Sequence, residues 1–477
     1  MRLSFFLLLF LLSFSAGAQT KLAKLKKVMQ TYHAYNMFDG AVLVAENGKL
    51  IYKDAFGLAN REWNIPNTTD TKFMIGSVSK PLTAMLTLMQ VQKGLLNLDS
   101  SLAYYLPEFS KTNGNKIKIR HLLGHSSGMP NYDVIRDFFP RISRQNFSRE
   151  EYIKIYKDLP LVFEPGSNYN YSSWAYYTLG YLLEKVTGKT YAALMKEDMF
   201  DKVGMNSSGS YFHKQIVNKR ATGYDYELGG YASGDFRDQS NTMGTGDLYS
   251  TVEDLFKLHL AIGNNKLLSK QLTEDMFTPG IRPWRYGFGW FNQQFRYTNT
   301  DSVFANYHLG MTEGFISFWL RIPSTNSMVV ILCNSSPTEF FGICKSLVKV
   351  LYNKPVEIKQ PVHKVMEKIV ATKGAAAAVA DYKRMKADSA HYYIDWLSMN
   401  YLGEQLYNLK RFEEARIIFE NNAAEFPTRD LVLINLAKTF QELGKKEEAI
   451  FWYKRTLELF PNFEEARNRL KELHLEK

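Results

Sequence analysis

Gly76-Ser77-Val78-Ser79-Lys80-Pro81 leads into an apolar run, Leu82 to Val91, that stops at Gly94. That run is apolar nearly all round, which predicts a buried helix. Proline is tolerated only in the first turn of a helix, so Pro81 fixes Ser77 to Lys80 at the helix start. Residues three apart share a helix face, so Ser77 and Lys80 project together. The helix N-terminus adds positive potential, which favours developing anions. A serine hydroxyl is a weak nucleophile and needs a base beside it. A solvated lysine, titrating near ~10.4, is neutral in about one molecule in 10³ at pH 7. Lys80 can therefore serve only where burial or another cation lowers its basicity. A Ser-x-x-Lys tetrad alone is weak evidence for catalysis, because chance produces it often.

Two more segments stand further along. Phe163-Glu164-Pro165-Gly166 precedes Tyr169-Asn170-Tyr171-Ser172-Ser173, and a helical pattern then runs from Trp174 to Val186 and ends at Gly188. Later comes Tyr307-His308-Leu309-Gly310-Met311-Thr312-Glu313-Gly314-Phe315. It leads into strand-like Phe315 to Ile322 and Met328 to Leu332, joined across Pro323-Ser324-Thr325-Asn326.

Near the start, Ala41 to Ala45 and Leu50 to Tyr52 flank Glu46-Asn47-Gly48-Lys49. Asn-Gly between apolar runs is the strongest short-range hairpin signal. A helix is expected over 21–36, and others over 79–93, 150–157, 173–187, 190–198, 251–262 and 338–352. Strands at both ends with helices between predict an α+β fold, one sheet built from both chain ends with a helical subdomain inserted. A ligand cleft is expected where the two meet.

Taken in order, Ser77-x-x-Lys80, Tyr171-Ser172-Ser173 after a Pro-Gly, and His308-Leu309-Gly310 on an edge strand resemble the serine β-lactamase and penicillin-binding protein family. The class C enzymes, DD-peptidases and related esterases are the nearest in pattern. Leu122 to Pro130, Gly246 to Asp254 and Tyr286 to Trp290 add to the resemblance, which covers roughly residues 25–350. It implies a β-lactamase/DD-peptidase-like sheet with an inserted helical subdomain and a catalytic set of Ser77, Lys80 and Tyr171. Ser77 would form an acyl-enzyme, and either a neutral Lys80 or a Tyr171 phenolate would take its proton. The backbone N–H groups of Ser77 and Met311 would form the oxyanion hole. Ser173, His308 and Gly310 would contact substrate, with Gly310 allowing its close approach. No metal and no cofactor are implied. The family pattern Tyr-x-Asn is departed from at Ser173, which offers a hydroxyl in place of an amide. His308 replaces a lysine and removes a permanent cation. Both departures favour a peptidase or esterase over an efficient β-lactamase. Gly124-His125-Ser126-Ser127-Gly128 also fits the nucleophile elbow of α/β-hydrolases, but a helical stretch precedes it where a strand is required. His121 and His125 are read as structural or cleft-lining, since no glutamate stands between them as in a zinc-protease helix.

After Tyr352 the character changes. Lys354-Pro355 and Gln360-Pro361 are breakers, and 354–393 reads as a helical linker. Leu409, Ala415, Phe419 and Pro427 then recur as Leu443, Ala449, Tyr453 and Pro461, each 34 residues on. That period is the tetratricopeptide signature and predicts an all-α domain over 394–477, with two repeats and a closing helix. Two repeats are too few to bury a core alone. They should pack on the linker, on the hydrolase domain, or on a protein partner. A catalytically weak penicillin-recognising protein or scaffold working through these repeats is the alternative to an enzyme.

The remaining signals set the compartment. Arg2, an apolar run to Phe14, and Ser15-Ala16-Gly17-Ala18 describe a signal peptide over 1–18 and an exported, periplasmic or secreted protein. No later stretch is apolar enough to span a membrane. The formal charge of +11 is dispersed, with no basic stripe of the kind nucleic acid needs. A small-molecule or peptide substrate is expected. Cys333 and Cys344 read as buried free thiols, with a disulfide as the alternative.

Overall fold

The computed structural model describes residues 20–475 apart from 111, 112, 229, 282 and 337. The predicted signal peptide lies outside the described residues. The described residues form two compact units, one of the residues up to Asp225 with Ser233–Val356, and one of Tyr226–Ala232 with the residues from Glu357 on.

In the first unit, helix α1 (20–34) leads to strands β1 (Gly40–Glu46) and β2 (Lys49–Phe56). Asn47 and Gly48 both have positive φ, 53° and 70°, which a tight two-residue hairpin turn requires. Helices α2 (Ser79–Gln92), α3 (Ser173–Thr187) and α4 (Val252–Gly263) occupy the middle of the chain. Strands β3 (Phe291–Arg296), β4 (Ser302–Thr312), β5 (Phe315–Ile322) and β6 (Ser327–Cys333) follow, then helix α5 (Phe340–Leu351).

The six strands form one antiparallel sheet in the order β3-β4-β5-β6-β1-β2. The β1–β6 pairing, Val42 opposite Ile331, joins the two chain ends as the hydrophobic pattern predicts. Every residue of β5 and β6 is buried, because α4 packs on β1 and β6 while α5 packs on β5 and β6. Tyr32 of α1 hydrogen-bonds Ser346 of α5 at 2.9 Å. The His308 strand differs from expectation. β4 is second in the sheet, and the outer strand is β3. But β3 ends with Phe291 opposite Tyr307, so His308 to Thr312 run past it and form a local edge.

In the second unit, α6 (Val362–Lys373) and α7 (Ala375–Ala387) fall in the stretch expected as a linker. Their Val362, Met366, Val370, Ala378, Tyr382 and Met385 are buried in one core with Met399, Leu402, Ile418 and Phe419. They are therefore part of the unit, and their apolar spacing rather than the flanking prolines decides it. Helices α8 (Trp396–Asn408) and α9 (Phe412–Glu425) recur as α10 (Asp430–Glu442) and α11 (Lys446–Leu459), and α12 (Glu464–Leu475) follows. Cys333 and Cys344 are free and buried. Among the described residues no helix is long and apolar enough to cross a membrane.

Candidate active site

Ser77 sits in a single 3₁₀ turn, Gly76–Val78, that runs into α2. The turn is wedged against β4. Gly76 has φ 48°, and a Cβ there would lie 2.8 Å from the Met311 nitrogen. A Cβ at Gly310 would lie 2.1 Å from the Ile75 carbonyl oxygen and 3.0 Å from the Ser77 nitrogen. Gly310 thus lets the strand approach the backbone that carries Ser77, where the sequence suggested an approach to substrate. Ile75 is pinned from two sides: its N–H donates to Leu248 at 2.9 Å, and Ser317 Oγ donates to its carbonyl at 2.6 Å.

Lys80 is fully buried. Its Nζ donates to Ser77 Oγ at 3.0 Å and to the Thr245 carbonyl at 3.0 Å, and lies 4.9 Å from the centre of the Tyr171 ring. Burial, and then the charge of Arg237, hold the amine well below the usual lysine range. Burial raises the Tyr171 phenol, and the neighbouring Ser77 hydroxyl pulls the other way less strongly. The turn carrying Tyr171 is held by His125. The Asn170 N–H donates to the His125 carbonyl at 2.9 Å, and the Ser172 N–H donates to His125 Nδ1 at 3.1 Å. Ser172 caps α3 by accepting from Ala175 N–H, and donates to the Pro130 carbonyl at 2.7 Å. Gly124 to Gly128 follow a short helix, Ile119–Leu123, so no strand-to-helix elbow exists there.

A cavity of about 590 Å³ opens over these groups. Ser77, Lys80, Tyr171, Ser173 and Met311 line it. The Ser173 N–H donates to Asn131 Oδ1 at 3.0 Å, which places Asn131 on the cavity wall beside it. His308 and Gly310 lie elsewhere. His308 is 1% exposed; its Nδ1 donates to the Leu309 carbonyl at 2.7 Å, so Nε2 accepts from the Tyr286 hydroxyl at 2.9 Å. Burial and the nearby Lys80 lower its pKa to about 3, so the ring is neutral and sits within the aromatic packing. Both ring nitrogens of His308, expected to contact substrate, are engaged within the protein.

Sequence reasoning missed three parts of the cavity. Thr245 acts through its carbonyl, which side-chain type cannot reveal, though Gly244-Thr245-Gly246 marks a close backbone approach. Asn131 follows Pro130 in extended chain, just before the 3₁₀ turn Tyr132–Val134. Arg237 lies in a polar stretch without periodicity, yet lines the cavity.

A serine paired with a buried amine and a tyrosine, on a turn packed against an antiparallel sheet, defines a serine hydrolase of the acyl-transfer type. The chain belongs to the β-lactamase family: residues 25–350 match the family described as Beta-lactamase. It is 27% identical over 363 residues to penicillin-binding protein 4* of Bacillus subtilis (strain 168), covering 72% of this chain and 78% of that protein. It is 28% identical over 276 residues to the teichoic acid D-alanine hydrolase of Staphylococcus aureus (strain MRSA252), covering 56% of this chain and 65% of that one. The structure of the octameric penicillin-binding protein homologue from Pyrococcus abyssi matches with a TM-score of 0.61 at 26% identity, over 73% of this chain and 81% of that one.

Proposed function

We propose that this protein is an exported serine hydrolase that forms an acyl-enzyme on Ser77 and cleaves an amide or ester, such as a D-amino peptide, a β-lactam-like compound or a small ester. The observation that carries the reading is the 3.0 Å contact between Ser77 Oγ and a buried Lys80 of lowered basicity. In this reading neutral Lys80 takes the Ser77 proton as Oγ attacks the carbonyl carbon. The oxyanion is held by the N–H groups of Ser77 and Met311, whose backbones the two glycines bring together. Tyr171, neutral because burial raises its phenol, gives its proton to the leaving nitrogen or oxygen and is reprotonated from Lys80. Water then releases the acyl group by the reverse relay. The relation to a teichoic acid D-alanine hydrolase supports a D-alanyl ester or amide among the substrates.

Export rests on the signal-peptide pattern of residues 1–18, which supports a periplasmic or secreted protein. The second unit supports an accompanying role as a tetratricopeptide module for a protein partner. Its observation is helix register: α8 and α10, and α9 and α11, each begin and end 34 residues apart.

The test is intact mass of the mature protein and its Ser77→Ala variant after incubation with a fluorescent penicillin and an activated ester. An adduct on the parent that is absent from the variant supports Ser77 as nucleophile. No adduct and no ester turnover across pH 6–9 would overturn the enzymatic reading and leave the repeat module as the working part.

A further inference from the structure

The cavity that holds Ser77 also holds charge whose partners can be traced. Arg144 pairs with Asp235 at 3.0 Å. Glu313 accepts from Gln239 Nε2 at 2.6 Å and from the backbone N–H of Arg237, and burial raises its carboxyl to about 7. Lys80 is spent on Ser77 and Thr245. Arg237 is different. Among the described residues no carboxylate lies within 4 Å of its guanidinium, and its Nε and Nη2 are buried without a hydrogen-bond partner. The group lies 5.0 Å from the centre of the Tyr132 ring and 5.8 Å from that of Phe139, which hold it in place.

Burial works against this cation while Tyr132, Tyr152 and Glu313 favour it, and its two unpartnered nitrogens keep hydrogen-bonding capacity that an incoming acceptor would fill. Guanidinium is a planar fork that matches a carboxylate in two parallel hydrogen bonds. Phe139, which screens it, is 57% exposed at the cavity rim, so its ring can turn aside. Phe236, 44% exposed, and Met311, 58% exposed, add apolar surface to the same cavity. The neutral, buried His308 provides no competing cation.

We infer that Arg237 is the anion-recognising residue of this cavity, and that the preferred substrate is an acyl compound bearing a carboxylate, with an apolar group against Phe139, Phe236 and Met311. The inference rests on the acyl-enzyme reading and names its substrate class. Arg237 determines specificity; it takes no part in bond making.

The test uses matched neutral and anionic substrates on the full chain. In one series a single acyl group is esterified to 3-hydroxybenzamide or to 3-hydroxybenzoate. In the other, the acyl group of a phenyl ester is glutaramoyl or glutaryl. The parent should prefer the carboxylate by tenfold or more in kcat/KM in at least one series, and Arg237→Gln should bring that ratio close to one. Because both substrates of a pair meet the same enzyme, any effect of Arg237 on Lys80 cancels from the ratio. An unaltered ratio in Arg237→Gln, or no preference in the parent, overturns the inference. On the parent itself, benzoate should compete against a neutral ester and benzamide should not; equal inhibition by the two also overturns it. Loss of the acyl-enzyme reading would show separately, as turnover of the neutral esters that survives Ser77→Ala.

Discussion

The imidazole of His125 packs on the ring of Tyr171, centroids 4.3 Å apart at 39°, while its carbonyl and Nδ1 hold the residues on either side of that tyrosine. Tyr171 is therefore fixed in ring plane and in backbone by one residue. His125 itself has φ 53°, a conformation that asparagine also adopts readily. His125→Asn should keep the turn but remove the ring and displace the acceptor of Ser172 N–H. The expected result is a fall in kcat of about 10- to 100-fold with little change in KM, since misplacing a reacting group acts on the transition state. A merely structural role would instead lower the thermal midpoint and leave kcat per folded molecule intact.

The sequence left two bases open, and the electrostatics separate them. Burial lowers Lys80 and raises Tyr171, so the amine rather than the phenolate is the accessible base near neutral pH. The acylation rate should rise with pH along a limb that reports Lys80. Tyr171→Phe should slow the reaction and keep that limb; loss of the limb would assign it to the phenol. Arg237 is the cation that depresses Lys80 after burial, and the facing His125 and His308 are both neutral. Arg237→Gln should therefore move the limb to higher pH. The check is single-turnover acylation from pH 5 to 10, followed by mass.

Local signals carried most of the fold. Asn47-Gly48 dictates a hairpin turn whatever surrounds it, and the apolar run after Pro81 dictates a buried helix. What the sequence could not supply were contacts made at long range. His308 falls at the motif position, yet its partner Tyr286 is 22 residues away, and that hydrogen bond turns the ring from the cavity. Lys354-Pro355 and Gln360-Pro361 suggested a linker, but Val362, Met366 and Val370 recur at helical spacing and are buried. That pattern was legible and was outweighed by the prolines. Arg237 carried no local signal, because its surroundings depend on where Glu313 and Tyr132 fold around it.

Gly310 offers a purely steric test. A methyl group there would meet the Ile75 carbonyl at 2.1 Å and Ser317 Oγ at 2.4 Å, both of them held in the hydrogen bond that pins Ile75. Neither can yield without moving β4 away from the Ser77 turn. Gly310→Ala should therefore reduce acylation by at least about 100-fold, with a stability loss of about 1–3 kcal/mol typical of an overpacked contact. Mass-detected acylation and a denaturation curve, run side by side, read the two effects. Normal acylation would mean that the strand and the turn are not coupled.

Glu313 gives a prediction in stability rather than rate. Its carboxyl is raised from 4.5 to about 7, first because of burial, with Arg237 and Arg220 opposing. A raised acid binds more protons folded than unfolded between those values, so stability is fully present below pH 4.5 and is lost as pH rises through 7. Glu313→Gln keeps the size and an acceptor oxygen for Gln239 and the Arg237 N–H, but removes the titration. At pH 4 the parent and the variant should melt alike. The variant should gain steadily from there and be the more stable by about 1–3 kcal/mol at pH 8. Asp247, raised to about 6 by burial, adds a loss of the same sign, but it is present in both proteins and cancels in the difference. Calorimetry of the two proteins at pH 4, 6 and 8 checks the slope. A difference that is constant with pH would mean that the Glu313 carboxyl is already ionised at little cost, held by Arg237 across the cavity.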